Sequence, residues 1–157
     1  LKNNYAEEDV RQPVRIIIDG KNRLTPELTV FKLPSKILII RHTIENSQVW
    51  PHFVEQVQIQ KATDSDHIDL TALLTYLAKQ GLNDVLIESG AQLSGAFIEQ
   101  GLVDELVLYQ AAKLMGNDGK GLANMPSVVK LADAKALDIT DVRLVGKDIR
   151  LTAKFCR

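Results

Sequence analysis

Four short apolar runs constrain this chain more than any other feature. Val14 to Ile18, Ile37 to Ile40, Val85 to Ile87 and Leu106 to Leu108 favour β-branched residues or leucine, and the first three end at turn-forming or charged positions. Runs apolar on successive residues suit strands covered on both faces, which is the situation of a parallel sheet with helical crossovers. Val57-Gln58-Ile59 is a weaker run of the same kind. Between the runs the period changes: Leu70, Leu73, Leu74 and Leu77 fall at helical spacing, with Asp66 or Asp69 placed to cap and Gly81 placed for a left-handed stop. A second helix is expected from Ala91 to Gln100, closed by Gly101.

The C-terminal part follows another rule. Val142 and Leu144 alternate with Asp141 and Arg143, and Ile149, Leu151, Ala153 and Phe155 alternate with Arg150, Thr152 and Lys154. Gly146-Lys147-Asp148 supplies a tight turn between them, so an antiparallel hairpin is expected. The fold class is α/β: a mixed sheet with a parallel core and a C-terminal antiparallel hairpin, and helices on both faces. One core is expected, because a chain near 157 residues buries about 68–70% of its unfolded surface without staples.

Charge and composition remove several functions. Lys+Arg 19 against Asp+Glu 20 leaves a net charge of −1, without the basic excess of a nucleic-acid binder. Four Phe, three Tyr and one Trp offer little for base stacking. Cys156 has no partner for an internal disulfide, which fits a reducing, cytoplasmic compartment. No apolar run approaches the ~18 residues of a membrane span. Residues 1–12 are polar and read as a linker or tail, with no apolar stretch of a signal peptide. Leu1 in place of Met reads as a domain cut from a longer product.

The segment Glu88-Ser89-Gly90-Ala91-Gln92-Leu93-Ser94-Gly95-Ala96 carries the most chemistry. It sets a small-residue turn between an apolar run and a helix start, where free main-chain N–H groups and the helix dipole favour a phosphate. Gly90 lets the main chain bend toward a ligand, and Gly95 lets something bulky pack close. The pattern is no nucleoside-triphosphate loop, since no Lys-Ser/Thr follows, and it lacks the Gly-x-Gly-x-x-Gly of a Rossmann turn. Holding a diphosphate fits it; splitting one does not. Glu88 either takes hydrogen bonds from a substrate or caps the helix. Asp19 is open in the same way, with the turn role favoured. His42, His52, His67 and Cys156 have no zinc spacing, and the Gly-x-Ser-x-Gly of a serine hydrolase is absent. Residues 113–121 form a glycine-rich loop, either a lid or a plain connection.

Three ordered stretches bring a family into view: Val14 to Pro26 with Asp19-Gly20, Glu88 to Ala96 followed by Gly101 to Leu106, and Lys113-Leu114-Met115-Gly116. Together they resemble the C-terminal reductase domain of the bifunctional riboflavin-biosynthesis deaminase/reductase, over residues 13–157 and without that domain's N-terminal strand–helix–strand unit. The resemblance implies a dihydrofolate-reductase-like fold, NADPH as hydride donor, and reduction of a phosphoribosylamino-pyrimidine to its ribitylamino form. It implies a dinucleotide site at Gly20 and at Gly90, Ala91, Gln92, Leu93, Ser94, Gly95 and Ala96, and a substrate contact at Glu88. Gly20 stands where the family usually has Ser. A homodimer and a deaminase domain in the parent chain are also implied. No residue is assigned as proton donor, and no metal is expected. The alternatives are an inactive fragment that keeps fold and dimer contact, or a reductase of the same fold acting on another pyrimidine or pteridine.

Overall fold

The computed structural model describes residues 12–44, 47–63, 65–116 and 118–156, so all but Gln12 of the expected tail lies outside the described residues. The chain divides into two compact units, Leu1–Asn83 and Asp84–Arg157.

The first unit is built on a parallel sheet of β1 (Arg15–Ile18), β2 (Ile37–Arg41) and β3 (Val54–Gln58), in the order β1-β2-β3. Ile16 pairs with Leu38 and Ile18 with Ile40, while Ile39 lies beside Gln56. β2 is the middle strand, and all five of its residues are buried, which is why that run is apolar without alternation. On one face Ile37 and Ile39 join Phe31 in a cluster flanked by Ile17, Leu24, Val30, Trp50, Phe53 and Val54. Phe31 and Trp50 meet edge to face at 5.0 Å between ring centroids.

α1 (Leu70–Lys79) forms where the leucine spacing predicts it and buries Leu70, Leu73 and Leu77. Asp69 rather than Asp66 is its cap: the carboxylate accepts the Ala72 amide at 2.9 Å. Gly81 takes φ 77°, and the amides of Leu82 and Gly81 bond back to Leu77 and Ala78. That pairing is the Schellman stop, which a Cβ at the left-handed position would strain.

The second unit holds α2 (Ala91–Glu99) and an antiparallel sheet of β4 (Glu105–Gln110), β5 (Leu137–Val145) and β6 (Asp148–Phe155), ordered β4-β6-β5. The expected hairpin is β5–β6, and both strands reach further than the alternating residues alone suggest. Val145 pairs with Asp148 across Gly146-Lys147, with Gly146 at φ 65°. The register slips between Ile139 and Asp141, leaving Thr140 to donate its hydroxyl to the Thr152 carbonyl.

One expected strand is absent. Val85-Leu86-Ile87 has no strand assignment, and Leu86 is 80% exposed. The reason is the lack of a partner: among the described residues no strand offers it a ladder, and an apolar run without paired main chain is not a strand. The single mixed sheet expected from the sequence is accordingly two three-stranded sheets, one parallel and one antiparallel. Among the described residues no helix is long and apolar enough to cross a membrane.

The packing of β2 sets a measurable expectation. Ile39 is 0% exposed, so Ile39→Ala should lower the unfolding free energy by about 2–5 kcal/mol. Urea denaturation at equilibrium measures this, and a loss below about 0.5 kcal/mol would mean that β2 is not the core strand described.

Candidate functional site

The residues singled out from the sequence fall on both units. Asp19 and Gly20 follow β1 in the first; Glu88 to Ala96 open α2 in the second.

Asp19 leaves β1 at its carboxyl end and is 6% exposed. Its Oδ1 accepts the Arg23 amide at 2.9 Å and its Oδ2 the Leu24 amide at 3.1 Å, so the turn role is realised. The same Oδ2 meets Arg41, which ends β2: Nη2 donates at 2.8 Å and Nε at 3.2 Å. Arg41 is 2% exposed. Its Nη1 donates to Gln56 Oε1 of β3 at 2.6 Å, and its guanidinium lies 5.4 Å from the centre of the Trp50 ring. Burial alone would raise the Asp19 pKa, but the Arg23 amide, the Arg41 guanidinium and the Leu24 amide outweigh it and hold the carboxyl below the ordinary aspartate value. No local pattern in the sequence singles out Arg41. Its only signal is that two neighbouring apolar runs end in opposite charges, Ile18-Asp19 and Ile40-Arg41.

Gly20 follows Asp19 in the turn. A Cβ there would lie 3.6 Å from His42 Nδ1, an ordinary contact, so the glycine is not forced by space. Asn22, two residues on, is the one non-glycine residue with positive φ among the described residues, at 51°, and its side-chain Nδ2 donates to the Thr43 carbonyl.

The start of α2 differs from that of α1. Gly90 is the N-cap, with φ −76° and no side-chain cap, and no acidic residue lies in the first turn. The space where a Gly90 Cβ would stand is open, with nothing within 4 Å. Ser89 and Ser94 hydroxyls meet at 2.9 Å across this turn. The amides at the helix start thus have neither a carboxylate nor a hydroxyl cap, and the dipole's positive end faces an exposed turn. Glu88 is exposed and makes no hydrogen bond or ion pair among the described residues, so it does not act as the helix cap.

Gly95 has a different neighbour from the one its sequence position suggests. A Cβ built on it would stand 1.9 Å from the Asn124 carbonyl oxygen, so the bulk that packs close is the protein's own main chain. Asn124 also donates its amide to the Ala91 carbonyl at 2.8 Å. One turn beyond Gly95, Glu99 accepts both the amide and the hydroxyl of Ser127, which hold its carboxyl below the usual range. Ala91, Gly95 and Glu99 recur at four-residue steps, so segment 124–127 lies along one face of α2. Nothing in the order of the sequence links those segments, and only the fold reveals it. Among the described residues no group of three His, Cys, Asp or Glu side chains is placed to hold a metal ion.

With this geometry in place, the relatives become informative. A family model described as the RibD C-terminal domain matches residues 1–151. The riboflavin biosynthesis protein RibD of Escherichia coli (strain K12) is 40% identical over 147 residues, 94% of this chain and 39% of that protein. A 5-amino-6-(5-phosphoribosylamino)uracil reductase of Buchnera aphidicola subsp. Acyrthosiphon pisum is 33% identical over 144 residues, 90% of this chain and 67% of that protein. The structure of Acinetobacter baumannii RibD superposes with a TM-score of 0.80 at 30% identity, covering 98% of this chain and 40% of that one. The chain therefore spans about two-fifths of the length of its RibD relatives. The α/β, dihydrofolate-reductase-like class implied by the resemblance is the class of this fold. The chain belongs to the RibD C-terminal domain family.

Two expectations follow from the site geometry. Gly95→Ala drives a methyl into the Asn124 main chain and should reduce stability by about 1–3 kcal/mol in urea unfolding; an unchanged midpoint would contradict the contact. Asp19 has a lower pKa folded than unfolded, so its stabilisation is complete above the unfolded value and is lost as pH falls through the folded one. Unfolding free energy should therefore drop below about pH 4, and Asp19→Asn should remove part of that slope. Identical acid slopes in the two proteins would show that the carboxyl is not held down as described.

Proposed function

We propose that this member of the RibD C-terminal domain family binds NADPH and serves the reduction of 5-amino-6-(5-phosphoribosylamino)uracil to its ribitylamino product in riboflavin biosynthesis. The observation that carries the reading is the uncapped start of α2, at the segment that resembles the family's diphosphate loop. α1 begins with a carboxylate cap at Asp69, whereas α2 keeps its first amides and its dipole for an external anion. Main-chain N–H groups of Ala91, Gln92 and Leu93 would meet the diphosphate. Gly90 gives the close approach, and the Ser89 and Ser94 hydroxyls offer further donors at its edge. Gly95 and Ala96 serve the same loop from behind, Gly95 by admitting the Asn124 main chain that holds the helix. Gly20, in the first unit, is assigned a main-chain contact to a dinucleotide on the resemblance alone.

When bound, NADPH supplies the hydride. The protein's part is placement. Glu88, exposed and without a partner among the described residues, accepts N–H or O–H groups of the pyrimidine or the ribose and so fixes the reacting end. The name of the Buchnera relative supports this substrate class. The reading includes a homodimer, a deaminase domain in a longer parent chain, and a cytoplasmic setting.

A second reading is favoured by Leu86, an apolar side chain 80% exposed and two residues before Glu88. On that reading the 157-residue chain keeps the fold and holds the dinucleotide without turning over substrate.

Titration with NADPH, followed by nicotinamide fluorescence, tests both. Gly90→Asp places a carboxylate at an N-cap with open space around it, so helix stability should be unchanged or slightly raised. NADPH affinity should fall at least about tenfold, because the new charge takes the amides and repels the diphosphate. Equal affinity in wild type and variant would remove the diphosphate assignment. Binding without substrate-dependent oxidation of NADPH would select the second reading.

A further inference from the structure

We infer that Arg41 is a positioning residue for dinucleotide binding: from inside the first unit it holds the turn Asp19–Leu24, and hence the Gly20 main chain, in the shape that meets the ligand. This rests on the reading that Gly20 belongs to the dinucleotide site. Arg41 does not touch ligand itself, since its side chain is 2% exposed and engaged on the protein side. It gives two N–H groups to Asp19 Oδ2 and a third to Gln56, and a ring face lies against it at Trp50.

The geometry leads from this charge to the turn in two steps. Arg41 fixes the Asp19 carboxylate from one side. The carboxylate's two oxygens then fix the Arg23 and Leu24 amides on the other, so the loop from 20 to 24 is pinned at both ends. Asp19 also donates its own amide to Ile40 and accepts the Asn22 amide at its carbonyl. Asn22 sits at φ 51°, a left-handed value that an asparagine tolerates but does not prefer, and its side chain is tied to Thr43 beyond β2. A turn containing such a residue has other conformations open to it, and the carboxylate selects one. The turn leaves the carboxyl ends of parallel strands, where α/β sheets bind ligands. Lysine cannot replace the fork, because one ammonium cannot give the same three N–H groups to Asp19 and Gln56 beside Trp50.

Arg41→Lys and Asp19→Asn, each in the full 157-residue chain, test the inference with NADPH as the probe. Circular dichroism first sets a temperature at which wild type and both variants are folded. Amide hydrogen exchange is then followed at Arg23 and Leu24, with Leu38 to Ile40 as the internal reference. The expected result in Arg41→Lys is faster exchange at Arg23 and Leu24, an unchanged reference, and NADPH affinity weaker by about tenfold. That factor corresponds to a turn in its binding shape for only about a tenth of the time. Asp19→Asn, which keeps one acceptor for the turn, should fall between. Loosened amides with unchanged NADPH affinity would overturn the positioning role while leaving the dinucleotide reading intact, as would unchanged amides in Arg41→Lys. No saturable NADPH binding by the wild type would instead remove the dinucleotide reading, and the positioning role with it.

Discussion

A guanidinium buried at the end of a parallel strand has to be met by something, and in the first unit three strands contribute to meeting it. Arg41 ends β2, Asp19 follows β1 and Gln56 belongs to β3, so one charge draws polar groups from the whole width of the sheet. Such a pair adds little net stability, because removing two charges from water offsets most of their attraction. What it provides is uniqueness. With either partner gone the other is a buried charge without its counter-ion, a penalty of about 3–5 kcal/mol that disfavours alternative registers of β1 against β2. The apolar cluster of Phe31, Ile37 and Ile39 tolerates many neighbours; the ion pair tolerates one arrangement.

The two helices show how the same local element is committed to different ends. Both stop in the same way, with Gly81 and Gly101 in left-handed conformation, at φ 77° and 66°. Their beginnings diverge. Asp69 closes α1 and makes it self-sufficient, while α2 begins on a glycine with open space beside it and is held along its side instead. Asn124 on Gly95 and Ser127 on Glu99 supply from the flank what a cap supplies at the end. A helix secured laterally keeps its amide terminus free without becoming loose, which is the condition for using that terminus on a ligand.

Much of this was legible in the sequence, for local reasons. The runs at Ile16 and Ile37 became β1 and β2 because β-branched residues both prefer strands and bury well. Asp69, Gly81 and the hairpin turn at Gly146 were legible because caps and turns depend on a few adjacent residues. Val85 to Ile87 misled because a strand is a property of two segments, and periodicity describes only one. Gly95 was read as a place of close approach, which it is, but what approaches lies 29 positions further on. Arg41 escaped for the same reason: an arginine closing an apolar run is ordinary until Asp19, 22 residues before it, is brought alongside.

Trp50 is the only indole in the chain, and it lies against the buried guanidinium with its own N–H unpartnered among the described residues. The emission of this single tryptophan therefore responds to the cation beside it and to the Phe31 ring. The protein carries its own optical gauge at the most demanding point of its interior, readable without any label.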